Sequence, residues 1–186
     1  PRPRGASDPA RRTVLLAQVT EDLDGDVAVL RRALEQHKSL TILPRQEYPQ
    51  DGEAFRAAFR ADLAVCDGVV QLLSNVRGRA QASLPEGYPR FQAEEAQRAG
   101  VKLMQWRRAD SGLENVQDPG HRALLQMPNV TASTLPSFVA EVVEQFTAPS
   151  VQTRSGEEDR ARPVVFVNAD RSDIDVASQC GAALAE

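Results

Sequence analysis

Runs of adjacent apolar residues alternate along this chain with stretches in which apolar residues recur every three or four positions. The runs are Thr13-Val14-Leu15-Leu16-Ala17-Gln18-Val19, Leu40-Thr41-Ile42-Leu43, Val69-Val70-Gln71-Leu72-Leu73 and Val101-Lys102-Leu103-Met104-Gln105-Trp106. Continuous apolar runs with β-branched members suit strands buried on both faces, as in a parallel sheet. Between them, Val27, Leu30, Ala33 and Leu34, then Phe55, Ala58, Phe59, Leu63 and Cys66, fall at helical spacing. Thr20 is expected to cap the first helix, with Glu21, Asp22 and Asp24 in its first turn offsetting the helix dipole. Asp67-Gly68 is expected to end the second helix, Gly68 taking the left-handed cap.

A third helix is expected from Tyr88 to about Ala99, stopped by Gly100. His121 to Gln126 reads as one or two helical turns, and Pro128-Asn129-Val130 as a short extended piece. Phe138, Val139, Val142, Val143 and Phe146 mark a last amphipathic helix. Strands and helices in alternation imply an α/β three-layer fold with a parallel sheet. Such sheets bind ligands at the carboxyl ends of their strands. The loops expected there are residues 18–22, 44–52, 74–87 and 107–120.

The two ends read differently. Residues 1–12 hold Pro, Arg, Gly and Ser without periodicity and read as a disordered leader. Residues 149–162 read as a linker with a charge run at Glu157-Glu158-Asp159-Arg160. From Pro163 the opening pattern returns, Val164-Val165-Phe166-Val167 paralleling Val14-Leu15-Leu16-Ala17, so residues 163–186 read as a C-terminal βα unit that starts a second, related module; the alternative is a βα pair added to the edge of the first sheet. The chain begins with Pro1, not Met, and is expected to be a piece of a longer protein.

Composition narrows the function classes. The net charge is −4, with 41% hydrophobic and 5% aromatic residues in 186. A mildly acidic chain gives no electrostatic reason to expect a nucleic-acid or membrane partner. The two cysteines, Cys66 and Cys180, lack metal-ligand spacing and fit a reducing, cytoplasmic setting. Cys66 reads as a small buried hydrophobe, and Trp106 as a core or interface residue. No phosphate-cradling Gly-rich loop follows the first strand, and no Gly-x-Ser-x-Gly elbow occurs. His37 and His121 read as surface residues, and no metal or cofactor site is expected. Carboxylates remain as the candidate chemistry. Glu94 and Glu95 lie on the third helix, four and three residues before Arg98, a spacing that also suits plain ion pairs.

Taken in order, five segments resemble a bacterial TIR (Toll/interleukin-1 receptor-like) domain of the divergent prokaryotic type found in large defence and signalling proteins. They are residues 14–23, 43–49, 61–74, 87–94 and 102–107. The resemblance covers about Thr13 to Ala148. It departs from the family where Gln18-Val19-Thr20 replaces a Ser-Tyr ending of the first strand, and where Tyr88-Pro89-Arg90-Phe91 replaces a Ser-x-Trp lead-in. It implies a flavodoxin-like fold with five parallel strands and, in some members, NAD+ hydrolase or cyclase activity. One glutamate on the helix after the third strand cleaves the nicotinamide–ribose bond in those members. By position that residue is Glu94, with Glu95 the weaker candidate. The resemblance further implies that Gln18, Thr20, Arg45, Tyr48, Ser74 and Phe91 face the substrate, NAD+. Arg45 would meet its pyrophosphate, and Tyr48 or Phe91 would stack on a ring. The alternative it implies is a non-catalytic scaffold whose partners are other TIR-like modules or further copies of itself.

Overall fold

The structure, a computed structural model, describes residues 11–148. The expected leader up to residue 10, the linker and the C-terminal βα unit lie outside the described residues. Five strands, β1 (Arg12–Leu16), β2 (Leu40–Leu43), β3 (Gly68–Leu73), β4 (Lys102–Arg108) and β5 (Val130–Ser133), form one sheet in the order β2-β1-β3-β4-β5. Every pairing is parallel. The helices are α1 (Asp24–Glu35), α2 (Gly52–Leu63), α3 (Tyr88–Arg98), α4 (Pro119–Leu125) and α5 (Leu135–Thr147). This is the flavodoxin-like α/β arrangement.

The side-chain period of two sorts each strand onto two faces. Val14 and Leu16 of β1, Val70 and Leu72 of β3, and Met104 and Trp106 of β4 pack with Leu30 and Leu34 of α1 and Phe138, Val142 and Phe146 of α5. Leu15, Ala17, Leu43 and Val69 face the opposite way, onto Phe55, Phe59 and Leu63 of α2 and Phe91 and Ala96 of α3. A smaller cluster joins Leu73 and Ala93 to Val116, Leu124 and Leu125 at α4. Trp106 lies in the core, 6.3 Å from the Phe138 ring, and its Nε1–H donates to the Ser133 carbonyl at 3.0 Å.

Several local expectations are corrected. β1 starts at Arg12, inside the expected leader, because Arg12 pairs with Leu40. It ends at Leu16, although the Ala17 N–H still donates to the Val70 carbonyl. Thr20 caps nothing with its side chain; a 3-10 turn, Glu21–Leu23, precedes α1, and the Thr20 hydroxyl bonds Ser74 instead. α2 ends at Leu63, so Cys66 lies beyond the helix and is only partly buried. Gly68 is the first residue of β3 and not a left-handed cap. Its lack of a side chain serves packing: a Cβ there would sit 2.5 Å from Cζ of Phe146. Gly100, at φ +65°, does end α3 as expected. The last strand is Val130–Ser133, later and more polar than the expected piece at Pro128.

One buried polar feature crosses the sheet. Asn129 Nδ2 donates to Gln105 Oε1 (2.6 Å), Gln105 Nε2 to Gln71 Oε1 (2.8 Å), and Gln71 Nε2 to the Pro89 carbonyl (2.7 Å). Gln71 and Gln105 are fully buried. The chain of amides ties the lead-in of β5, then β4 and β3, to the first turn of α3. No helix among the described residues is long and apolar enough to cross a membrane.

Candidate functional site

The strand order reverses at β1 and β3: the chain leaves β1 for β2 on one side and returns to β3 on the other. Open parallel sheets place their ligand crevice at such a point, beyond the strand carboxyl ends. A cleft of about 580 Å³ lies there, walled by Gln18 to Asp22 and Asp24 after β1, by Glu47, Pro49, Gln50 and Gly52 after β2, and by Val76, Gly78, Arg79, Gln81, Leu84 and Tyr88 after β3. A second cavity of about 320 Å³ adjoins it beneath the loop after β2 and shares Gln18, Val19, Asp24, Glu47 and Gln50 with the cleft.

The walls are built locally. Gly78 and Gly87 take φ of +80° and +78°, which lets the loop after β3 fold back over Pro89. Pro89 then stands in the first turn of α3, where a missing N–H costs nothing. Gln92, one turn on, is fully buried and turns its amide toward the cleft floor. Its Oε1 accepts from the Gln18 N–H (2.7 Å) and its Nε2 donates to the Gln18 carbonyl (3.0 Å). Tyr88 closes one wall, its hydroxyl 3.4 Å from the Val19 carbonyl and its ring 6.0 Å from that of Phe55. Burial, reinforced by the Glu21 carboxylate, pushes the Tyr88 phenol up, so it stays a protonated donor.

Charge is uneven. Glu21, Asp22, Asp24 and Glu47 line the cleft against one guanidinium, Arg79. Asp22 is held: its Oδ1 accepts from the Ser74 hydroxyl (3.3 Å), and Ser74 Oγ in turn accepts from the Val76 N–H (3.0 Å) and bonds the Thr20 hydroxyl (2.9 Å). Behind Ser74 stands His121, contrary to its expected surface position. It is 2% exposed, and its Nε2 lies 2.8 Å from the Ser74 carbonyl. A carbonyl only accepts, so Nε2 carries the proton there. Asp118 fixes the ring's backbone by capping α4. The signal that could have suggested burial is Leu124-Leu125, which put His121 on the apolar side of a short helix.

The sequence-derived site residues separate. Gln18 and Thr20 line the cleft, and Tyr48 lines the second cavity. The Tyr48 hydroxyl donates to Asp62 Oδ2 (2.8 Å), and burial raises its pKa well above the usual phenol range. Ser74 is buried behind Asp22 and itself lines neither cavity. Arg45 is exposed and lines neither cavity. Phe91 is 2% exposed within the aromatic cluster of α2 and α3. Glu94 lines neither cavity; its side chain is 39% exposed and accepts from Arg90 Nε at 2.6 Å. The ion pair is therefore with Arg90, one turn before, and not with Arg98. Sequence reasoning passed over Tyr88, Asp22, Glu47 and Arg79 as site residues. The acidic cluster directly after the first apolar run was their one visible sign.

Glu95, the neighbour of Glu94, faces α2. Arg60 binds it through Nε (2.7 Å) and Nη2 (3.1 Å), and Arg98 through Nη1. The Arg60 hydrogen bond holds the Glu95 carboxyl below its ordinary value of 4.5. A depressed carboxyl pKa adds stability above the unfolded-state value, and that contribution is lost as pH falls through the folded-state value. Wild-type stability is thus expected to fall faster below about pH 4.3 than that of Glu95→Gln, with the curves parallel above it. Urea midpoints from pH 2.5 to 7 check this; parallel acid limbs would contradict it. Arg60 is 54% exposed, so solvent screens the pair and the effect is modest.

No protein-family model and no curated protein matches the chain. Among solved structures it is similar to a conserved protein from Enterococcus faecalis V583, at 12% identity and a TM-score of 0.49, over 73% of this chain and 99% of that one. That likeness carries no information about activity.

Proposed function

We propose that this chain is a TIR-like domain of a larger bacterial defence or signalling protein, and that its cleft takes NAD+ and cleaves the nicotinamide–ribose bond when the protein is assembled. The carboxylate-lined cleft at the switch point supports this reading most directly. Its volume suits a small-molecule ligand. The pyridinium ring of NAD+ is cationic, and its departure leaves positive charge on the ribose. Fixed carboxylates stabilise that charge where it develops. They also accept hydrogen bonds from ribose hydroxyls. Tyr88 and Phe55 offer ring surface beside them.

Two carboxylates compete for the central role. Glu94 is the one implied by the resemblance; on the outer side of α3 it can serve only a site completed by another copy. Asp22 is the one the cleft itself supplies, already oriented by Ser74. The test is to incubate assembled full-length protein with NAD+ and measure nicotinamide. Release is expected, and Glu94→Gln is expected to reduce it on the order of 100-fold. A loss confined to Asp22→Asn would move the chemistry into the cleft of a single copy. No release from assembled wild type would end the catalytic reading.

The Arg90–Glu94 pair favours a second reading, a non-catalytic scaffold, because it gives Glu94 a structural partner. That reading expects self-association without NAD+ turnover, abolished by substitutions in the loop from Arg45 to Gly52.

A further inference from the structure

The smaller cavity differs in chemistry from the cleft it adjoins. Its floor is apolar, with Leu16, Ala17, Val27, Pro44 and Tyr48 around it. One cation, Arg31, stands at its side. Arg31 makes only long contacts, 3.3 Å from Nη2 to the Pro44 carbonyl and 3.9 Å from Nη1 to Glu35 Oε1. A guanidinium has five N–H donors, so several stay available. The wall shared with the cleft carries Asp24 and Glu47. An apolar slot, a donor at its side and carboxylates at its mouth match a flat heteroaromatic base joined to a sugar. The base fills the slot, the guanidinium donates to a ring nitrogen, and the ribose hydroxyls donate to the carboxylates.

We propose that the cavity beneath the loop after β2 is the purine-nucleoside subsite of the cleft's ligand, with Arg31 reading the base and the Asp24–Glu47 wall reading the ribose. The subsite rests on the proposed function for its ligand class but not for its test, which needs no turnover. Adenosine is titrated calorimetrically into the full chain. Arg31→Ala and Val27→Trp, the second filling the slot, are each expected to weaken adenosine at least tenfold. Thermal melts confirm folding, and Arg31→Ala, at a partly exposed helix position, carries the test if the tryptophan variant fails to fold.

Absence of adenosine binding at millimolar concentration would overturn the subsite. So would binding that neither variant weakens. Adenosine binding with the expected losses, in a protein that never releases nicotinamide, keeps the subsite and removes the catalytic reading. NAD+ turnover with a KM unmoved by both variants does the reverse.

Discussion

Phe91→Ala is expected to lower stability by about 3–5 kcal/mol, the usual range for removing a fully buried phenyl ring. Phe91 stands 5.9 Å from the rings of both Phe55 and Phe59. Arg56 lies over its face at 4.7 Å and Arg60 at 5.6 Å. Those two arginines also hold Glu86 and Glu95, so the ring sits under a bridge of ion pairs between α2 and the segment of α3. Deleting the ring leaves a void that these charged groups cannot fill without losing water. Phe91→Leu is expected to restore more than half of the loss. Urea unfolding with an unchanged slope checks both variants. A loss under about 1 kcal/mol, with ligand affinity reduced instead, would return Phe91 to the ring-stacking role implied by the resemblance.

Gln71→Leu is expected to cost about 2–4 kcal/mol, although it places an apolar residue in an apolar strand. It strands the Gln105 amide, which loses its partner inside the protein, and takes from the Pro89 carbonyl the hydrogen bond it accepts from outside its own helix. A buried unsatisfied group costs about 1–3 kcal/mol, and a lost hydrogen bond about 1 kcal/mol. The double variant Gln71→Leu with Gln105→Leu is expected to cost less than the sum of its singles, because the second change removes a group the first orphaned. Additive costs would mean that the amides act independently.

How far the sequence reveals this molecule depends on which physics sets each feature. β2 is found at Leu40–Leu43 as expected, because an apolar run ending at a proline is a local signal. The helices over Phe55–Leu63 and Phe138–Phe146 follow from their period. β5 is less legible, since Val130-Thr131-Ala132-Ser133 is held by pairing with β4 and not by its own composition. Gly68 is misread because turn chemistry and close packing call for the same residue. The inward turn of Gln71, Gln105 and His121 is invisible locally, as each partner lies at least 18 residues away.

The candidate site divides along the same line. Gln18 and Thr20 are found in the cleft because the end of a strand is local information. Arg45, Ser74, Phe91 and Glu94 are separated from it by side-chain direction, which no spacing rule supplies. Arg90 illustrates the point: it lies four residues before Glu94, as Arg98 lies four after, and only packing decides which of them pairs.

The contact between Gln18 and Gln92 bears on how such a cleft can diversify. The backbone of residue 18 is occupied in both directions by the side chain of residue 92. Position 18 can therefore exchange its own side chain, and with it the group shown to a ligand, without loosening the floor. Position 92 has no such liberty, because asparagine is one methylene short of spanning both bonds and an apolar residue makes neither. Across a set of variants selected for new ligands, change should accumulate at 18 while 92 stays glutamine. One residue is a variable letter of recognition, and the other is the fixed line it is written on.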